Sequence, residues 1–262
     1  MKQPETRVTF SQTKSMPRDA SARRIAIVDI ARTAALLGMI LFHLVFDLAM
    51  FGFLPADTAR SAGWPLFSKL VAGSFLGLAG LSLYLAHGSR FRPRAYLKRL
   101  IRVVAAALLV TAATYLAQPD FYVYFGILHS IAAASVIGLA FLRAPAVVTL
   151  AAAVAAFALP GIFDARGWSI DWPLSLGLSQ QIQPAMDFEP VFPWIAPFLI
   201  GMALGRIGQY AGIWETLASV ASDENRLVRL AAWPGRHSLA VYLVHQPILI
   251  GLLQAWMLVA PA

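Results

Sequence analysis

Apolar stretches of roughly 20 residues recur along this chain and constrain its fold more than any other feature. They fall at about 31–53, 65–87, 97–117, 122–142, 146–163, 191–207 and 238–259. A helix needs about 20 apolar residues to cross the ~30 Å hydrocarbon core of a bilayer. Only 13% of the residues are charged, against roughly 25% in soluble domains. The sequence therefore predicts an all-α, polytopic integral membrane protein with about seven transmembrane helices.

The basic residues predict how the chain is oriented. Of 21 Lys and Arg residues, 18 lie in the tail or in alternate connections on one side, and only Arg60, Lys69 and Arg166 lie on the other. Because Lys and Arg are enriched on the cytoplasmic side, we expect the N-terminus inside and the C-terminus outside. The net charge of +8 then reflects orientation and contact with membrane lipids, and no nucleic-acid partner is expected. Residues 1–24 are predicted to be a mobile basic tail in the cytoplasm, and 25–262 a transmembrane domain in the cell (inner) membrane.

Two ionisable residues, His43 and Asp47, stand inside the first apolar stretch, AALLGMILFHLVFDLAMFGF (34–53). At a spacing of four residues they share one helix face and can touch. An ionisable group at membrane depth costs at least ~2.5 kcal/mol on insertion scales, so it usually serves a function. We interpret His43 as a general base whose ring is oriented by the Asp47 carboxylate. The alternative is a polar pair that only sets helix rotation.

A second histidine, His129, lies at a comparable depth in the fourth stretch. We expect it to approach His43 as a third catalytic residue, or else to be a hydrogen-bonded core histidine. Lys69 is predicted to reach toward the same level from the second stretch.

The inner side carries a set of charged residues that could bind phosphates. Asp29 and Arg32 share a face at the start of the first helix, and the rest follow the second helix or precede the last one: Arg90, Arg92, Arg94, Arg99, Arg236 and His237. Arg side chains match phosphate oxygens, so one hypothesis is a pocket for a nucleotide or coenzyme A. The other is an orientation signal that contacts anionic lipids.

The outer connection 164–190 is long and holds aromatic, acidic and proline residues. It either folds over an external cavity or is a mobile connector. There is no Walker loop, GxGxxG, HExxH or GxSxG motif. The chain also has no cysteine. The kinase, dehydrogenase, zinc-protease and serine-hydrolase classes therefore have no support, and no metal or haem is expected.

Five segments, taken in order, resemble the membrane domain of the heparan-alpha-glucosaminide N-acetyltransferase family in a short bacterial form. They are RRIAIVDIARTAALLGMILFHLVFDL, LFSKLVAGSFLGLAGLSLYLA, YVYFGILHSIAAAS, PWIAPFLIGMALG and GRHSLAVYLVHQP. The resemblance implies a transmembrane acetyltransferase, with acetyl-CoA as co-substrate on the cytosolic side. It places the family's active-site histidine at His43 and the preceding Asp and Arg at Asp29 and Arg32. Where the family has Arg-Gly, this chain has Arg32-Thr33, and we expect a looser helix contact there.

The expected acceptor is an amine or hydroxyl of a glycan or glycolipid on the outer side, and a homo-oligomer is allowed. Whether acetyl rests on His43 or passes directly to the acceptor stays open. The main alternative function is a proton-coupled transporter or flippase that uses the same histidines and aspartate as a relay. A haem protein with His43 and His129 as axial ligands, and a non-catalytic partner subunit, are further alternatives.

Overall fold

The computed structural model describes residues 25–61, 63–181, 183–220 and 225–259. Its regular elements there are α1 (Ala26–Met50), α2 (Trp64–His87), α3 (Pro93–Ala117), α4 (Ile127–Gly138), α5 (Ala146–Arg166), α6 (Val191–Tyr210), α7 (Ile213–Val220), α8 (Arg226–Arg236) and α9 (Ser238–Val259), with one-turn 3-10 helices at Thr58–Arg60, Leu139–Phe141 and Leu174–Leu176. The predicted tail 1–24 lies outside the described residues.

Six of these helices, α1, α2, α3, α5, α6 and α9, are long and apolar enough to cross a membrane, with 20 to 25 residues each. A helix of that length extends about 30–37 Å at ~1.5 Å per residue. The prediction of an all-α, multi-pass membrane protein is confirmed.

The fourth apolar stretch differs from the prediction, because its first five residues, 122–126, are not helical. Helix α4 has only 12 residues and extends about 18 Å, too short to cross alone. Before it, the backbone of Val123 runs beside α3, donating to Thr114 Oγ1 at 3.0 Å and accepting from Thr111 Oγ1 at 2.7 Å. The described residues thus hold six full-length helices in place of the predicted seven. The orientation of the termini, which depends on the number of crossings, stays a prediction.

Connection 167–190 folds against this irregular segment. Met186 N donates to Phe121 O and Glu189 N donates to Phe125 O, each at 3.0 Å. Irregular backbone is tolerated at membrane depth only where protein or water satisfies its polar groups. Part of the connection is therefore a folded layer over one end of the bundle, here called the loop end.

Helices α2 and α6 form the centre of the bundle because glycines let their backbones touch. A Cβ on Gly80 would overlap the Phe198 carbonyl, and one on Gly201 would overlap the Gly77 carbonyl. The buried side chains beside this contact include Leu76, Leu83 and Met202. Helix α1 packs against α2, α8 and α9, so the two ends of α1 face different partners.

Candidate active site

Helix α1 carries predicted site residues near both of its ends. Asp29 and Arg32 lie in its first two turns, and His43 and Asp47 lie near the loop end. The 14 residues from Asp29 to His43 correspond to about 21 Å of helix rise. One rigid element therefore sets the separation between the arginines and the histidine.

The His43 ring is held by a carbonyl on its own helix. Its Nδ1 lies 3.0 Å from Met39 O, and a carbonyl can only accept a hydrogen bond, so Nδ1 carries the proton. In the neutral ring, Nε2 then has a free lone pair. His43 is thus in the tautomer that a general base requires.

Asp47 does not orient His43 through a hydrogen bond, and that part of the sequence interpretation is wrong. The fully buried Asp47 carboxylate accepts from Gln246 Nε2 on α9 at 2.8 Å. It interacts with His43 only electrostatically. Met39 O occupies the position that the sequence interpretation assigned to the carboxylate, because the i−4 carbonyl lies beside the side chain of a helical residue. Asp47 instead links α1 to α9.

The residue that does reach His43 is His245, which the sequence analysis did not select. The two ring centroids are 4.9 Å apart and the planes are nearly perpendicular. His245 Nδ1 lies 2.5 Å from Tyr242 O, so this ring is also protonated on Nδ1 and has its lone pair on Nε2. The only earlier signal was the motif YLVHQP, which contains both His245 and Gln246.

His129 lies elsewhere, and the prediction that it meets His43 is wrong. Its Nδ1 accepts from Gly126 N, and its Nε2 is 3.3 Å from Thr111 Oγ1. Nδ1 therefore binds the backbone just before α4 and Nε2 binds Thr111 on α3, which leaves no lone pair for base chemistry. This geometry also removes the basis for a haem ligated by His43 and His129.

Two carboxyl groups of the folded connection, Asp187 and Glu189, lie on the loop side of His43. Asp187 Oδ2 accepts from Ile127 N at the start of α4 at 3.1 Å. Burial raises the pKa of Asp187, while the Ile127 N–H and the nearby His43 act in the opposite direction. Burial, and next the adjacent Asp187, raise the pKa of Glu189 to about 9, against the influence of Lys69. Lys69 therefore lies close enough to Glu189 to act on it electrostatically, and its predicted approach to the level of His43 stays a prediction.

We expect Glu189→Gln to stabilise the protein at alkaline pH. Between pH 4.5, the ordinary value, and about 9, the folded carboxyl keeps a proton that the unfolded one releases, so stability falls as pH rises. The variant should match the wild type near pH 4.5 and melt higher at pH 8.5, by about 2–4 °C per kcal/mol gained. Thermal melts in detergent from pH 4.5 to 9 measure this. Asp120→Asn, at an exposed position, is the control, and a pH-independent difference would contradict the assignment.

At the opposite end of α1, buried Asp29 contacts two of the arginines that were predicted to bind phosphate. Arg32 Nη1 binds Asp29 Oδ1 at 2.5 Å, and Arg236 Nε lies 3.4 Å from Oδ2. Arg32 also donates to Ser82 Oγ on α2. Arg99 of α3 interacts electrostatically with Arg32. Two arginines paired to one aspartate, with Arg99 close to Arg32, leave an excess of positive charge, which suits phosphate groups. We call Asp29, Arg32, Arg99 and Arg236 the arginine cluster.

The contact between α1 and α8 beside this cluster is close, so the looser packing expected at Thr33 is wrong. Thr33 Oγ1 donates to Ala231 O at 2.7 Å and accepts from Gly235 N at 2.9 Å. Gly235 supplies the missing small residue, since a Cβ there would overlap Asp29 O.

The other predicted phosphate ligands are not brought into the cluster. Arg90, Arg92 and Arg94 are exposed around the α2–α3 turn, where Arg92 Nη2 donates to Ala86 O at 3.1 Å. His237 is exposed, and its ring lies 4.8 Å from the Trp233 ring. For these four residues, phosphate binding and membrane orientation both stay hypotheses.

The sequence profile of "Heparan-alpha-glucosaminide N-acetyltransferase, catalytic" matches residues 24–247. This match spans α1 to the middle of α9 and includes both ends of the site. The chain belongs to this family. Comparison with curated proteins and with solved structures gave no match. Family membership and the six apolar helices make the chain a multi-pass membrane protein of an acetyltransferase family.

Membership of the acetyltransferase family confirms the resemblance drawn from the five segments. In the described parts of the chain, no group of three or more His, Cys, Asp or Glu residues could hold a metal ion.

Proposed function

We propose that this protein moves an acetyl group from cytosolic acetyl-CoA to an amine or hydroxyl of a glycan or lipid-linked sugar on the outer side of the cell (inner) membrane. The observation that carries the proposal is the arrangement on α1. An excess of positive charge lies at one end, and a histidine with a free Nε2 lone pair lies about 21 Å along the helix. The coenzyme's phosphates would bind the first, and its thioester would extend toward the second.

At the coenzyme end, the arginine cluster supplies charge-assisted hydrogen bonds to phosphate oxygens. Asp29 holds Arg32 and Arg236 in place from one buried carboxylate. Fixed guanidinium groups lose less conformational entropy on binding than mobile ones. Acetyl-CoA is the co-substrate that this arrangement and the family both favour.

At the reacting end, His43 Nε2 takes the proton of the acceptor's N–H or O–H group as that atom attacks the thioester carbonyl. The new N–C or O–C bond forms and the C–S bond breaks. The proton on His43 then passes to the departing sulfur, which leaves as the CoA thiol. In a two-step reaction the same lone pair would attack first and carry the acetyl group.

At the acceptor end, the folded connection provides a cavity of about 180 Å³. Its lining includes the aromatic residues Tyr124, Phe188 and Phe192 and the polar residues Ser179 and Gln181. Phe188 follows Asp187 in the chain, which connects this cavity to the carboxyl group that interacts with His43. Aromatic rings beside polar groups suit a sugar, which has apolar faces and hydroxyl edges.

A sided vesicle assay tests the proposal. Purified protein is reconstituted, a methyl glucosaminide or methyl glucoside probe is enclosed, and labelled acetyl-CoA is added outside. We expect acetylated probe to form inside the vesicles, while no intact acetyl-CoA enters. Only protein molecules whose arginine cluster faces outward can carry out this reaction. Protein-free vesicles are the control. Probe movement without acetyl-CoA, and without acetylation, would favour the transporter alternative, which also accounts for a buried Asp47.

A further inference from the structure

Three buried polar atoms between α1 and α9 have no hydrogen-bond partner in the described residues. They are Asp47 Oδ2, Gln246 Oε1 and His245 Nε2. Asp47 is fully buried and His245 is 8% exposed. Leaving such a group without a hydrogen-bond partner destabilises the folded protein. Three together at membrane depth indicate a place built for a ligand.

All three atoms accept hydrogen bonds and none donates. Asp47 accepts because it is a carboxylate, and Gln246 presents its oxygen because its nitrogen already donates to Asp47. His245 Nε2 accepts because its Nδ1 proton is used by Tyr242 O. With the Nε2 atom of His43, the lining consists of acceptors. A ligand bound there must carry several hydrogens and is favoured by positive charge.

We propose that His245 is a second catalytic base, which removes the first proton from an acceptor that arrives as an ammonium ion. This proposal rests on the acetyl transfer proposed above. An ammonium group has no lone pair, so it must lose one proton before it can attack and a second as the amide forms. Two adjacent imidazoles, each with a free Nε2, match these two protons.

His245 Nε2 takes one proton from R–NH3+, and the Asp47 carboxylate, which accepts from the adjacent residue Gln246, offsets the imidazolium charge. The neutral amine attacks the thioester carbonyl, and His43 Nε2 takes the second proton. The C–S bond breaks and His43 gives that proton to sulfur. His245 releases the first proton to water after the product leaves. A hydroxyl acceptor has only one proton to lose and does not need His245.

Two variants separate this role from a structural one. His245→Asn keeps a donor near Tyr242 O but removes Nε2, and His245→Gln places an amide near the Nε2 position, where it can hydrogen-bond but cannot take a proton. Val244→Ala, on the exposed side of the same turn, is the control. The probes are methyl glucosaminide and methyl glucoside, and kcat/KM for acetylation is measured from pH 6 to 9.5.

We expect both His245 variants to lose on the order of 10-fold in kcat/KM on the amine probe at pH 6.5, because with an amine pKa of about 7.7–8.0 only about one molecule in twenty is then neutral. The loss should disappear near pH 9.5, where the amine is already neutral, and acetyl-CoA binding should not change. A loss that is equal at every pH, full activity of His245→Gln, or no loss at all would overturn the proposal.

The two probes also distinguish a failure of the proposed acetyl transfer from a failure of the second base. If the wild type acetylates neither probe, both the proposed acetyl transfer and this inference are wrong. If it acetylates only the glucoside, acetyl transfer is supported and the second base is wrong. If the variants do not fold, nitrogen NMR of imidazole-labelled wild type decides, with the signals assigned by replacing the other four histidines. Methyl glucosaminide should convert the His245 Nε2 signal from unprotonated to protonated, and an unchanged signal would overturn the proposal.

Discussion

His43→Ala is expected to abolish acetyl transfer while acetyl-CoA stays bound. Loss of a general base costs typically about 10²–10⁴-fold in rate, and in the proposed reaction His245 takes only the first proton of the acceptor. Binding should persist because the arginine cluster is about 21 Å away by helix rise. High pH should not restore the rate, which distinguishes this loss from the one expected for His245.

The measurement is transfer to the amine probe by purified, monodisperse His43→Ala, with acetyl-CoA affinity determined on the same sample. Phe46→Ala is the matched control, since Phe46 lies on α1 with its side chain exposed. Normal transfer by His43→Ala would remove the histidine from catalysis. It would leave the polar residues between α1 and α9 as a packing feature or part of a transport path.

Replacing both Arg32 and Arg236 with Gln is expected to weaken acetyl-CoA binding strongly. Each lost charge-assisted hydrogen bond costs about 1.5–3 kcal/mol, or about 10–100-fold in Kd. The wild-type affinity should fall as salt rises, and the variant should show a weaker salt dependence.

The binding titration, at two salt concentrations, includes Arg143→Gln as a control, because Arg143 is exposed and lies outside the arginine cluster. The same change at Arg90 and Arg94 tests the phosphate hypothesis for the α2–α3 turn. An unaltered Kd in the Arg32 and Arg236 double variant would return the cluster to a structural and orientation role.

The apolar windows were sufficient to predict a helical membrane protein, and the position of His43 inside one of them identified the candidate base. The spacing of Asp29 and Arg32 predicted their contact, because residues three apart on a helix are neighbours. The five ordered segments identified the family. Each of these conclusions depends on chain order or on periodicity within one helix, and both are read directly from the sequence.

The tertiary structure decided which groups from different helices meet. Periodicity places His43 and Asp47 on a face of α1, but the rotation and depth of α9 bring His245 and Gln246 to that face. Likewise, the apolar content of 122–142 predicted a helix, yet the hydroxyls of Thr111 and Thr114 satisfy the Val123 backbone and allow an irregular path. Both ring nitrogens of His129 bind residues that hold this path, Gly126 and Thr111. Contacts between residues about 200 positions apart depend on helix packing, which no local pattern encodes.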